Sequence, residues 1–139
     1  MAKASCREVS LGFESGCETI LRSMNKRFGV KEIREASCLL AEFGIRRMGF
    51  LLLGGPGETR ASVEESLAFA DSLRLDALKL TLGIRIYPQT DLARRAVEED
   101  LIAPGDSLLL PRFYLVEELR PWLRETVARW AKGRSNWFF

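Results

Sequence analysis

Apolar residues in this chain switch repeatedly between a strand-like and a helix-like period, and the switches define three strand-helix units. Glu8 to Phe13 reads as a buried strand, and Ser15-Gly16-Cys17-Glu18 follows as a capping box that opens a short helix to about Met24. A second helical pattern runs from Val30 to Phe43, with Val30, Ile33, Ser37 and Leu40 on one face and Gly44 as its stop. Arg46 to Leu53 is the next strand. Thr59 and Ser62 compete to cap the helix behind it, which carries Val63, Leu67, Ala70 and Leu73 at helical spacing and ends near Leu75. Ala77 to Ile86 predicts a third strand, broken by Tyr87-Pro88-Gln89, with Thr90 capping a helix through about Glu99.

Strands alternating with helices predict an α/β fold with a parallel sheet, and the short spacing suits half of a β/α barrel. The expectation is one domain over residues 1–139: three units across 8–105 and a helical extension across 106–139. In that extension a helix from about Glu117 to Lys132 aligns Leu119, Leu123, Val127 and Trp130, with Pro121 confined to its first turn. The aromatic run Trp137-Phe138-Phe139 is expected to dock against the core or a partner. Three parallel strands alone expose two edges and a face, so either an upstream half-barrel or a second copy is expected to complete them.

Composition narrows the function classes. The balance of 21 basic and 19 acidic residues, mixed along the chain, provides no field for nucleic acid or an anionic membrane. The apolar runs at Met48 to Leu53 and Leu78 to Ile86 fall short of the roughly 18 residues of a membrane helix, and the opening residues lack the apolar core of a signal peptide. These features place the chain in the cytoplasm. Cys6, Cys17 and Cys38 match neither a disulfide framework nor a zinc site, which predicts free thiols and no metal site. With no histidine, Ser-His-Asp and Cys-His nucleophiles are excluded within the chain.

Three groups of residues are candidates for chemistry. Glu14 is a carboxylate at the tip of a buried strand, suited either to accepting both hydroxyls of a ribose-like diol or to receiving N–H groups of the Ser15-Gly16-Cys17 turn. Gly54-Gly55-Pro56-Gly57-Glu58-Thr59 lacks the Lys-Ser/Thr pair of a phosphate loop. Its glycines either admit a flat ligand close to the backbone or simply form a tight turn. Arg85 and Tyr87, with Lys79 on the same parity, predict a polar interior face, or else an internal ion pair of Arg85 with Glu14 or Glu58.

Together these residues resemble the radical S-adenosylmethionine enzymes, in particular the subgroup with coproporphyrinogen-oxidase-like, methylthiotransferase-like and cobalamin-binding members. The likeness runs from about Val9 to Phe113 through Gly12-Phe13-Glu14-Ser15-Gly16, Met24-Asn25-Lys26, Gly49-Phe50 to Gly57-Glu58-Thr59, and Ile86-Tyr87-Pro88-Gln89-Thr90. It implies the last three units of a full or six-unit partial barrel. Glu14, with the adjoining Ser15 and Gly16, then looks like the strand end that meets the ribose hydroxyls of S-adenosylmethionine. Gly54, Gly55 and Gly57 look like the stretch near its adenine, and Arg85 to Tyr87 like the last-strand segment beside the same nucleoside. The family's C-x-x-x-C-x-x-C loop, which holds a [4Fe–4S] cluster, is absent, so the chain alone is expected to carry part of the cofactor wall without radical chemistry. Its expected partner is a second copy, with two half-barrels making a six-stranded arrangement, or the N-terminal half of the barrel. Two other readings stay open: a non-catalytic, self-associating α/β interaction module, and a phosphate-binding barrel enzyme that uses the glycine loop as an anion cradle.

Overall fold

Side chains alternate across β2 (Arg46–Leu53) so that Gly49, Leu51 and Leu53 are buried while Met48, Phe50 and Leu52 are only partly covered. That asymmetry organises the computed structural model, which describes residues 5–139. β2 pairs in parallel with β1 (Glu8–Glu14) on one side and β3 (Ala77–Leu82) on the other. The helix-facing side of this sheet carries Phe13, Leu51, Leu53, Leu78 and Leu80, all buried. The opposite side presents Ser10, Gly12, Met48, Phe50, Leu52, Lys79 and Thr81 and is the open face of the sheet.

Helices α1 (Glu18–Ser23) and α2 (Val30–Glu42) link β1 to β2, and α3 (Arg60–Ser72) links β2 to β3. Ile33 and Ser37 are the buried positions of α2, and Val63, Leu67 and Ala70 lie on the buried face of α3, as their spacing predicts. Thr59 wins the capping contest: its hydroxyl accepts the Ser62 N–H at 3.2 Å, and the Ser62 hydroxyl accepts the Thr59 N–H at 2.9 Å. The start of α1 differs from the expected capping box. Cys17 is its N-cap, and the Glu18 carboxylate instead accepts the Val30 N–H at 2.9 Å, tying α1 to the start of α2.

Two further differences lie in the second half. The strand predicted over Ala77 to Ile86 breaks at Gly83, whose φ of 84° is left-handed and where a Cβ would sit 2.9 Å from the Tyr114 carbonyl oxygen. Beyond it, β4 (Ile84–Arg85) leaves the sheet and pairs antiparallel with β5 (Phe113–Tyr114). Ile86, Ala96, Ile102, Leu108 and Tyr114 make a separate small core there, covered by α4 (Asp91–Glu98), whose cap is Thr90 as expected.

The main sheet also has four strands instead of three. After a 3-10 turn at Glu117–Leu119 and α5 (Arg120–Ala131), β6 (Trp137–Phe138) pairs in parallel with β3, giving the order β1-β2-β3-β6. Of the terminal aromatic run only Trp137 docks against the core, stacked on Trp130 at 6.2 Å between centroids, while Phe138 and Phe139 stay exposed. Pro121 lies in the first turn of α5, where its missing N–H costs nothing. Cys6, Cys17 and Cys38 are all free.

Candidate functional site

The strand ends that follow β1, β2 and β3 carry Glu14 to Gly16, the glycine loop and Arg85 with Tyr87, and the fold treats them differently. Glu14 closes β1 with φ 68°, a left-handed conformation uncommon for a residue other than glycine, at a slip in the β1–β2 register. The slip turns its side chain over Gly12 on the open face, where a Cβ at Gly12 would lie 3.7 Å from Glu14 Oε1. There the carboxylate pairs with Lys26, whose ammonium also lies 5.7 Å from the centroid of the Phe28 ring. Both partners are about one quarter exposed, so the pair is reachable from solvent.

Ser15 and Gly16, next in the chain, face inward. The Ser15 hydroxyl accepts the Cys17 N–H at 3.1 Å and bonds the Ser66 hydroxyl at 3.0 Å, while Gly16 N–H donates to Ser66 Oγ at 3.0 Å. A Cβ at Gly16 would come within 2.6 Å of Phe69 Cβ. These two residues fasten the β1–α1 turn onto α3, and the serine is fully buried.

The glycine loop folds around its own carboxylate. Glu58 is buried, and its Oε2 accepts the N–H groups of Gly54 and of Gly55, the latter at 2.9 Å. Burial pushes the Glu58 carboxyl above the ordinary glutamate range, against the opposing pull of the two backbone donors. Its other oxygen, Oε1, is buried and has no protein partner. Gly54 is covered by Leu115 and Gly55 by Ile84, whereas Gly57 is open, with nothing within 4 Å of an added Cβ. A cleft of about 420 Å³ runs past Gly57 between Met24, Pro56, Ile84 and Asp91. An anion cradle needs free N–H donors, and those of Gly54 and Gly55 already serve a carboxylate, which weighs against a phosphate site in this loop.

Arg85 departs from the expected geometry. Because Gly83 carries the chain out of the main sheet, Arg85 does not share a strand face with Lys79, and it pairs with neither Glu14 nor Glu58. Its guanidinium is exposed and lies 4.9 Å from the centroid of the exposed Tyr87 ring. Lys79 stays on the open face of β3. Lys26 is the site residue that the pattern of the sequence left without a role. Its motif was visible, but the ion pair depends on Asn25, also left-handed at φ 56°, turning the chain back towards β1.

No metal centre fits these residues. Among the described residues no group of three His, Cys, Asp or Glu side chains is placed to hold an ion. Likewise, no helix among them is long and apolar enough to cross a membrane.

No protein-family model matches the chain. Among curated proteins it is 30% identical over 102 residues to an uncharacterised methyltransferase of Pyrococcus horikoshii, covering 73% of this chain and 22% of that protein. It is 33% identical over 88 residues to the ribosomal protein uS12 methylthiotransferase RimO of Heliobacterium modesticaldum, covering 62% and 18%. Two solved structures of the radical S-adenosylmethionine methyltransferase TsrM from Kitasatospora setae share the fold. One, with tryptophan substrate and a S-adenosylmethionine analogue bound, superposes with TM-score 0.75 at 20% identity over 94% of this chain and 32% of the other. The second, with cobalamin and a [4Fe–4S] cluster bound, gives TM-score 0.64 at 26% identity over 75% and 20%. The chain is similar to part of a radical S-adenosylmethionine domain. It spans about a fifth of the length of the curated relatives it matches.

Proposed function

We propose that this chain forms part of the nucleoside-binding wall of a radical S-adenosylmethionine enzyme, a partial β/α barrel without the cluster loop and inactive alone. The observation that carries the reading is Glu14. It is a strand-end carboxylate held in a left-handed conformation, turned onto the open face and paired with a lysine instead of being absorbed into its own turn. Such a group accepts two hydrogen bonds from a vicinal diol while Lys26 holds its orientation. Gly57, with the cleft beside it, is the accessible part of the glycine loop, and the exposed Arg85–Tyr87 stack offers a flat surface at the third strand end. In the same reading Ser15, Gly16, Gly54 and Gly55 shape the wall from behind and touch no ligand. The described residues hold no three-thiolate set for a [4Fe–4S] cluster, so in the whole enzyme the cluster belongs to another segment or chain. Three free cysteines suit a cytoplasmic setting.

Equilibrium dialysis with S-adenosylmethionine, and with an analogue lacking the ribose hydroxyls, tests this. Loss of a charge-assisted hydrogen bond predicts about 10-fold or more weaker binding for Glu14→Ala, and the diol-free analogue should not distinguish the variant from the wild type. Equal binding of S-adenosylmethionine by both proteins refutes the assignment and leaves the Glu14–Lys26 pair as a structural link in an interaction module.

A further inference from the structure

We infer that the cleft between the start of α3 and the turn before α5 binds an organic cation, an ammonium or guanidinium group on a short apolar stem, whose charge is met by Glu58. The inference goes beyond the nucleoside reading and does not rest on it. The cleft measures about 880 Å³ and shares only Gly57 and Arg95 with the smaller cleft described above. Gly57 to Arg60 line it at the start of α3, Tyr114 to Leu119 on the way into α5, and Arg95, Glu99 and Leu101 at the end of α4. All three segments are interior to the chain.

The deepest polar group of this wall is incompletely served. Glu58 is buried, and its Oε2 is occupied by the N–H groups of Gly54 and Gly55. Its Oε1 is buried and has no donor. A buried carboxylate oxygen without a hydrogen bond is costly, so the site is short of one donor, and a charged donor serves it best. Burial holds the Glu58 carboxyl above the ordinary range, and a cation seated beside it opposes that rise. The approach is clear on the side of Gly57, where nothing lies within 4 Å of an added Cβ.

The rest of the lining sets the sign and the shape of the ligand. Four carboxylates face two guanidinium groups around the cleft. Glu99 is satisfied by Arg95 at 2.7 Å and by the Tyr114 hydroxyl at 2.8 Å, and Glu117 by Arg120 at 2.8 Å. Arg60 lies over the Trp122 ring, 5.4 Å from its centroid, and makes no ion pair among the described residues. Glu58 and the exposed Glu118 are therefore the carboxylates with no cation of their own among the described residues. Leu101, Leu115, Val116 and Leu119 give the same walls an apolar lining, which suits an aliphatic stem better than a hydrated ion. A metal ion does not fit, because among the described residues no three ligating side chains come together.

The test is titration of the full chain with n-butylammonium, followed by backbone amide shifts in heteronuclear NMR, with n-butanol as the uncharged match. The Gly54 and Gly55 amides donate to the Glu58 carboxylate and report directly on it. Butylammonium is expected to shift both with a Kd of about 1 mM or tighter, about 10-fold or more below that of butanol. Glu58→Gln, which keeps an acceptor for the two amides, should weaken binding about 10-fold or more. Glu118→Gln, at an exposed position, should weaken it about 2-fold and keeps the test open if the first variant does not fold. N-acetyl-lysine methylamide separates the sources: tighter binding than butylammonium assigns the site to a basic side chain of a protein, and weaker binding to a free amine. Gly54 and Gly55 amides that do not move with either cation overturn the inference and leave Oε1 to a buried water. Butanol binding as tightly as the ammonium, or variants that bind it as wild type does, overturn it as well.

Discussion

Replacing Glu58 tests whether the glycine loop is held by its own carboxylate. The side chain is 4% exposed and its Oε2 accepts two N–H groups, from Gly54 and Gly55, that no other acceptor serves. Glu58→Ala strands both donors under Leu115 and Ile84, at about 1–3 kcal/mol each, for a total loss of about 2–6 kcal/mol. That is a large part of the about 5–15 kcal/mol expected of a domain this size. Glu58→Gln keeps an acceptor for both N–H groups and removes the buried charge, so at neutral pH it should lose clearly less stability than Glu58→Ala. The two variants also separate in pH dependence. Because burial raises the folded-state pKa above the ordinary glutamate value of 4.5, the native state holds the Glu58 proton more tightly than the unfolded chain. The resulting stability is fully present below the unfolded pKa and is lost as pH rises through the folded one. Urea unfolding followed by circular dichroism from acid to neutral pH measures this for wild type and both variants. Wild type should lose stability across that window, and Glu58→Gln should lack that loss. A Glu58→Ala protein within about 0.5 kcal/mol of wild type, or a Gln variant as unstable as the Ala variant, refutes the reasoning.

Gly16→Ala is expected to destabilise by about 1–3 kcal/mol, because the new Cβ meets Phe69 Cβ at 2.6 Å and Cδ1 at 2.8 Å inside a buried turn; a calorimetric melt indistinguishable from wild type would contradict it. Arg134 bonds Asp71 at 2.8 and 3.0 Å and lies 5.4 and 5.0 Å from the ring centroids of Trp130 and Trp137, so Arg134→Ala should cost about 1–2 kcal/mol and alter tryptophan fluorescence. Its hydrogen bond holds the Asp71 carboxyl below the ordinary range. That part of the stability is present above the unfolded pKa of 3.8 and lost as pH falls through the folded value, so acid titration of unfolding should show the gap between wild type and variant narrowing.

Local chemistry was enough to read most of the elements. The period-two run of β2, the apolar stripe of α2 and the polar caps Thr59 and Thr90 depend on residues within a turn or two of one another, so the sequence carries them in full. Glu14 was legible for the same reason, as a charge where a buried strand ends. What the sequence could not supply were contacts between distant segments. Gly83 interrupts a continuous strand pattern because Phe113 and Tyr114, thirty residues further on, offer β4 a different partner. Trp137 and Phe138 form a strand only because β3 leaves an edge for them beside Trp130. Glu18 reaches the amide of Val30 instead of closing its own helix, and Lys26 finds Glu14 through a left-handed turn at Asn25. Capping boxes and strand periods express the preferences of short stretches, which tertiary packing overrides wherever a remote donor, edge or core gives a lower free energy. The sequence by itself determined the first two strands, the start of the third, the main helices and which carboxylate ends the first strand. Tertiary structure decided the fourth strand, the exit of Arg85 from the sheet and the ion pair that holds Glu14 over the open face.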